Sequence, residues 1–184
     1  MFVVIYLGYI FSGLFGGSDL RILGIDPGYA IMGYGIVDKN GSSLSLAGYG
    51  AVTTDKDIPM PDRLKIIYSE LMDIIAEYQP DEVSIEELYF NTNATTAIHV
   101  GEARGVALLA CCNSGLPIFE YTPLQIKMTM TGNGRAEKKQ IQLMVKKLLN
   151  LDSIPRPDDA ADAVAAAICH SHCGEAQKRF FRMK

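Results

Sequence analysis

From Ile22 to Val37 the chain carries one charged side chain, Asp26, which halts an apolar run at Asp26-Pro27-Gly28 before a second apolar run begins. No other feature limits the fold as strongly. Each run reads as a buried strand, and an ionised carboxylate at the end of one is costly unless something compensates for it. A hydrogen-bonded turn, a salt bridge and a bound cation are the available compensations. Which of them applies decides the chemistry.

The strand of residues 22–26 is followed by two more, "MGYGIV" (32–37) and "SLSLAGYGAVTT" (43–54), with Gly41 in the connection between them. The pattern predicts an antiparallel three-stranded meander. In "DRLKIIYSELMDIIAEYQP" (62–80), Leu64, Ile67, Leu71, Ile74 and Tyr78 recur at spacings of three and four until Pro80. That is an amphipathic helix. "DEVSIEELYF" (81–90) reads as a fourth strand and "LPIFEYTP" (116–123) as a fifth. Further helices are expected at about 94–112, where Gly101, Ala103 and Gly105 suggest a small-residue face, at 136–150 and at 157–173. Antiparallel strands first and strands alternating with helices afterwards imply an α/β fold with a mixed sheet covered on both faces.

At 184 residues, 48% of them apolar, the chain has enough core for one globular domain. The formal charge of −4 gives no overall basic field, yet a local patch is enough for a nucleic-acid partner. Such a patch exists: Arg135, Lys138, Lys139, Lys146 and Lys147 stand against the single acid Glu137. Cys111 and Cys112 are adjacent, and Cys169 and Cys173 are four apart in a helical pattern. Reduced thiols of a cytoplasmic protein are expected, not a disulfide framework. "CHSHC" (169–173) lacks the spacing of a known zinc finger. Residues 1–20 read as an apolar extension foreign to the fold, with a native start expected at Leu20. The stretch is short for a membrane span and lacks the basic region and cleavage site of a signal peptide. The folded unit is then 21–174, and 175–184 is read as a basic, mobile tail. No membrane partner is expected.

In open α/β sheets, sites form beyond the carboxyl ends of the strands. Asp26 ends the first strand and Glu86 comes late in the fourth, which follows a crossover helix and should run parallel to it. Asp159 and Asp162 are three apart and so share a helix face. Taken singly, each acid has a plainer explanation. Asp26 suits a turn, Glu86 a solvated sheet edge, and Asp159 a first-turn acid favoured by the helix dipole, as its neighbour Asp158 is. Asp162 lies a turn inside an alanine-rich helix, where solvation explains it poorly. Gathered together, the four would raise one another's pKa, and two hard divalent cations would relieve that repulsion.

The blocks "GIDPGYAIMGYGIV", "VSIEELYF", "GEARGVALLA", "GNGRAEKKQIQLMV" and "PDDAADAVAAAICHSH" resemble, in order and spacing, the RuvC crossover-junction endodeoxyribonucleases. The similarity runs from about Arg21 to Cys173. It implies a ribonuclease H-like fold with a five-stranded mixed sheet, and it implies resolution of Holliday junctions in DNA recombination and repair. The family's catalytic and metal-binding acids fall on Asp26, Glu86, Asp159 and Asp162. Its two active-site lysines match Lys127 and Lys138. Its base-stacking aromatic matches Tyr89, with Phe90 adjacent, and Arg135 and Lys139 extend the DNA-binding set. Two Mg²⁺ ions per site are implied, with Mn²⁺ as a substitute. A homodimer, four-way junction DNA and a branch-migration motor of RuvA and RuvB type are the implied partners. Two other classes compete. An actin-like or sugar-kinase-like ATPase would need a second glycine-rich phosphate loop, which this chain lacks, and four intact acids argue against a non-catalytic junction-binding module.

Overall fold

The computed structural model describes residues 19–88 and 94–182. Residues 1–18 of the apolar extension and the aromatic pair Tyr89-Phe90 lie outside them. Five strands form one sheet in the order β3-β2-β1-β4-β5. β1 (Leu20–Asp26) pairs antiparallel with β2 (Ile31–Asn40), which pairs antiparallel with β3 (Ser43–Thr53). The β2–β3 return takes two residues between Asn40 and Ser43, and Gly41 supplies its positive φ of 61°. β4 (Glu82–Glu86) runs parallel to β1, and β5 (Ile118–Tyr121) parallel to β4.

The expected mixed sheet is therefore present, and helices cover both faces. α1 (Met60–Tyr78) and α2 (Ala94–Asn113) pack on Leu23, Ile25, Met32, Ile36, Val83 and Ile85. α3 (Pro123–Thr131), α4 (Lys138–Leu148) and α5 (Asp158–Arg182) pack on the other face, around Ile22, Val37 and Phe119. The apolar stripe of α1 buries Ile67, Leu71 and Ile74 as its spacing requires.

Four expectations need correction. The fourth strand ends at Glu86 rather than at residue 90. Gly101, Ala103 and Gly105 are not one face: Ala103 is buried against the core, whereas Gly101 and Gly105 are exposed. The last helix continues to Arg182, so much of the expected tail is helical. α3 lies where no helix was expected. Its start is a Thr122/Gln125 capping box with Pro123 in the first turn, a local signal sufficient to hold nine residues in a helix. Within "CHSHC", Cys169, His170 and Ser171 belong to the core, whereas His172 is exposed. His170 is buried, with Nε2 2.7 Å from Glu82 Oε2 and Nδ1 2.7 Å from the Tyr121 hydroxyl, and all four cysteines are free thiols. Among the described residues no helix is long and apolar enough to cross a membrane.

Candidate active site

Strand alternation puts Gly24 and Asp26 of β1 on one sheet face, together with Glu82, Ser84 and Glu86 of β4. That face carries α5. Ser84 Oγ donates to the Ala166 carbonyl at 2.7 Å, and Glu82 meets His170. Ile25 is registered with Ile85 in the parallel pair, so Asp26 and Glu86 leave the sheet side by side. The opposite neighbour of Asp26 is Gly33 on β2.

What carries the α5 acids to this point is close backbone contact. A Cβ placed on Gly33 would lie 2.0 Å from the Asp159 carbonyl oxygen, and one on Gly24 would lie 2.0 Å from that of Ala163. At Gly35 it would meet Val164 Cγ2 at 2.4 Å. Three glycines thus form a trough in which the first turns of α5 lie directly on β1 and β2. Asp159 and Asp162 are brought over the strand end that holds Asp26.

Electrostatics record the convergence. Burial pushes the Asp26 carboxyl up to about 8, and Glu86, Asp162 and Asp159 add to the rise while Lys138 opposes it. Burial and Asp162 push Glu86 up to about 7, against the pull of Lys127 and Lys138. Asp162 is raised too, chiefly by burial, although Lys138 Nζ stands 2.7 Å from its Oδ2. Lys138 also reaches Asp158 Oδ2 at 3.7 Å, and Arg156 pairs with Asp158. Asp158 is therefore a helix-start acid engaged with cations, as the sequence suggests.

Beside the acids opens a cleft of about 270 Å³ lined by Glu86, Asp162, Lys127, Lys138, Ile126 and Ile141. Both candidate lysines line it, Lys127 from α3 and Lys138 from the first residue of α4. Arg135 and Lys139 are exposed on the segment leading into and along α4. Among the described residues no three His, Cys, Asp or Glu side chains close into a ready-made ion cage. An all-oxygen set of separated carboxylates, of which Asp26, Glu86 and Asp162 disfavour their ionised forms, suits Mg²⁺, which takes one or two carboxylates and retains waters, better than a metal needing a closed protein cage. The residues fit the ion.

Two cations near the site carried no sequence signal. Arg104 on α2 donates from Nε to the Glu86 carbonyl at 3.4 Å and pairs with Glu120 on β5. Arg63 on α1 is buried behind the turn that follows Asp26. Their carbonyl partners are 18 and 34 residues distant in the chain, so no local pattern pointed to either.

Comparison with known proteins agrees with this geometry. The family model described as crossover junction endodeoxyribonuclease RuvC matches residues 22–170. The crossover junction endodeoxyribonuclease RuvC of Alkaliphilus oremlandii is 58% identical over 159 residues, covering 86% of this chain and 97% of that protein. The structure of Thermus thermophilus RuvC in complex with Holliday junction substrate aligns with a TM-score of 0.82 at 32% identity, over 86% of this chain and 96% of that one. The yeast mitochondrial Holliday junction resolvase Ydc2 aligns with a TM-score of 0.65 at 13% identity, over 89% of this chain and 82% of that one, a likeness of fold alone.

Proposed function

We propose, from the premise that this chain belongs to the RuvC family of crossover junction endodeoxyribonucleases, that it resolves Holliday junctions by divalent-metal-dependent hydrolysis of two symmetry-related phosphodiesters. The observation that carries the reading is the meeting of the β1 and β4 strand ends beneath α5, where burial and mutual repulsion hold the Asp26 and Glu86 carboxyls far above their usual range.

Asp26, Glu86, Asp159 and Asp162 would hold two Mg²⁺ ions. When bound, such a pair lowers the pKa of an attacking water and stabilises the departing 3′-oxygen. The protein's own contribution is placement. The parallel β1–β4 pair fixes Asp26 and Glu86 at one height, and the glycine trough fixes Asp159 and Asp162 above them. Lys127 and Lys138 line the same cleft and donate from Nζ to phosphate oxygens as negative charge develops on them. Arg135 and Lys139 hold flanking phosphates, which makes binding fall steeply with salt. Tyr89 and Phe90 stack on an unpaired base at the crossover. The products carry 5′-phosphate and 3′-hydroxyl ends, ready for ligation.

A four-way junction is two-fold symmetric, and a C2 homodimer cuts it symmetrically. On α2, Ile98 is 61% exposed and Leu109 53% exposed. Gly101 and Gly105 fall between them at helical spacing, with nothing within 4 Å of an added Cβ. An exposed apolar strip of this kind supports α2 as the dimer contact. Gly105→Arg is expected to yield monomers by sedimentation velocity, with melting temperature unchanged within a few degrees and paired nicking lost. A dimer that survives Gly105→Arg refutes that contact. A branch-migration motor of RuvA and RuvB type is the proposed partner, and the cytoplasm the proposed site of action.

The function itself is tested with purified protein and a synthetic four-way junction. Symmetric nicks with 5′-phosphate ends are expected in Mg²⁺ or Mn²⁺ and none in EDTA. Absence of cutting in either metal, or turnover of ATP, would end the resolvase reading.

A further inference from the structure

We propose that Arg63 is a positioning residue for Asp26, acting through the turn of residues 27–30. The proposal rests on the metal-dependent reading of the acid site. Arg63 is 8% exposed, and among the described residues no carboxylate lies within ion-pair distance of it. A buried guanidinium with no acid beside it is costly unless other groups satisfy it. Here the groups that do so all belong to, or brace, the turn after Asp26.

Arg63 Nη2 donates to the Tyr29 carbonyl at 3.2 Å. Its Nε donates to Thr54 Oγ1 at 2.8 Å, and that hydroxyl in turn donates to the same Tyr29 carbonyl at 2.6 Å. The Thr54 amide donates to the Ala30 carbonyl at 3.0 Å. The guanidinium carbon also stands 4.7 Å from the centroid of the Tyr29 ring, within range of a cation–π contact. The ring of His99 on α2 meets the same tyrosine at 5.4 Å between centroids. The turn has little slack of its own, because a Cβ on Gly28 would lie 2.1 Å from the Ile31 carbonyl oxygen. Arg63 therefore fixes two features three residues beyond Asp26, a carbonyl and a ring, with the planar two-armed geometry that only arginine offers. Side chains that orient metal-holding groups from behind typically affect metal affinity or activity by about 10–100-fold when removed.

Three variants separate positioning from simple stabilisation. Arg63→Lys keeps the charge but loses the fork, Arg63→Met keeps the length alone, and Thr54→Val removes the relay hydroxyl. The Mg²⁺ midpoint is read without DNA, as the concentration giving half of the Mg²⁺-induced rise in melting temperature. Four-way junction affinity is read in EDTA, and single-turnover cleavage well below each variant's melting temperature. Arg63→Lys is expected to raise the Mg²⁺ midpoint about tenfold and slow cleavage by about 10–100-fold, with junction affinity in EDTA within twofold of the wild type. Thr54→Val moves the midpoint in the same direction by a smaller factor. Lower melting temperatures with the Mg²⁺ midpoint and cleavage rate unchanged in Arg63→Lys and Thr54→Val would overturn the proposal. Those two variants suffice if Arg63→Met does not fold. Failure of the wild type to cut junctions would overturn the resolvase reading alone, since the midpoint needs no substrate.

Discussion

Asp26→Asn is expected to abolish junction cleavage, by at least about a thousandfold, while making the metal-free protein more stable at neutral and alkaline pH. The loss of cleavage follows from removing an anionic oxygen at the point where β1, β4 and α5 meet. The gain in stability follows from the direction of the pKa change. In the fold the Asp26 carboxyl is raised from 3.8 to about 8, by burial first and by the neighbouring acids after it. A group raised in this way contributes its full stability below the unfolded value, near 3.8, and loses it as pH climbs toward the folded value, near 8. Asparagine has no proton to lose and escapes the penalty.

Each pKa unit corresponds to about 1.4 kcal/mol, and in a chain of this size each kcal/mol moves the melting temperature by roughly 2–4 °C. Relaxation in the wild type will absorb part of the penalty, so a rise of about 3–6 °C in EDTA at pH 8 is the expected size. The difference should shrink through pH 6 and vanish near pH 4. Mg²⁺ should erase it, because only the wild type gains binding energy from the ion. Melting curves of both proteins at pH 4, 6 and 8, with and without Mg²⁺, measure all of this. A variant less stable than wild type at pH 8 in EDTA would show that the carboxyl is not under strain. The acid cup would then lose its physical basis. Four-way junction binding by the variant is expected to persist, because the basic segment 135–147 is untouched.

The parts of this site that sequence could reach were those set by local periodicity. Asp26 and Glu86 follow from alternation and from the strand–helix–strand order that makes β1 and β4 parallel. Asp159 and Asp162 follow from a spacing of three on a helix. α1 was legible because its stripe is regular, and Pro80 marks where the chain leaves it. α3 was not: nine residues with a weak apolar stripe read as loop, although Thr122-Pro123-Leu124-Gln125 carries a capping signature. The error mattered, because α3 carries Lys127 and with it one wall of the cleft. "CHSHC" was set aside as a zinc site by its spacing, but what its histidine does instead was out of reach. His170 belongs to Tyr121 and Glu82, 49 and 88 residues away, and no local pattern reveals partners at that distance. Arg63 and Arg104 were invisible for the same reason. The glycines of β1 and β2 could be seen as glycines but not as a trough, since the helix that fills it is more than a hundred residues further along.

That trough carries the second large effect. Gly33→Ala is expected to cost at least about 3 kcal/mol, the upper part of the range for overpacking a core, and to lower the melting temperature by roughly 6–12 °C. The added methyl would meet the Asp159 carbonyl oxygen at 2.0 Å and its carbon at 2.3 Å. These are helix backbone atoms, with no flexible side-chain end to swing aside. The first turn of α5 must lift or slide, and Asp159 moves with it. Since a misplacement of about 1 Å can cost a hundredfold in rate, cleavage should fall by at least that factor at temperatures where the variant is still folded. The Mg²⁺ midpoint should rise in parallel. A Gly33→Ala protein that cleaves at the wild-type rate would mean that α5 does not depend on this contact for its placement. The acids of α5 would then be held over Asp26 by something other than the glycine trough.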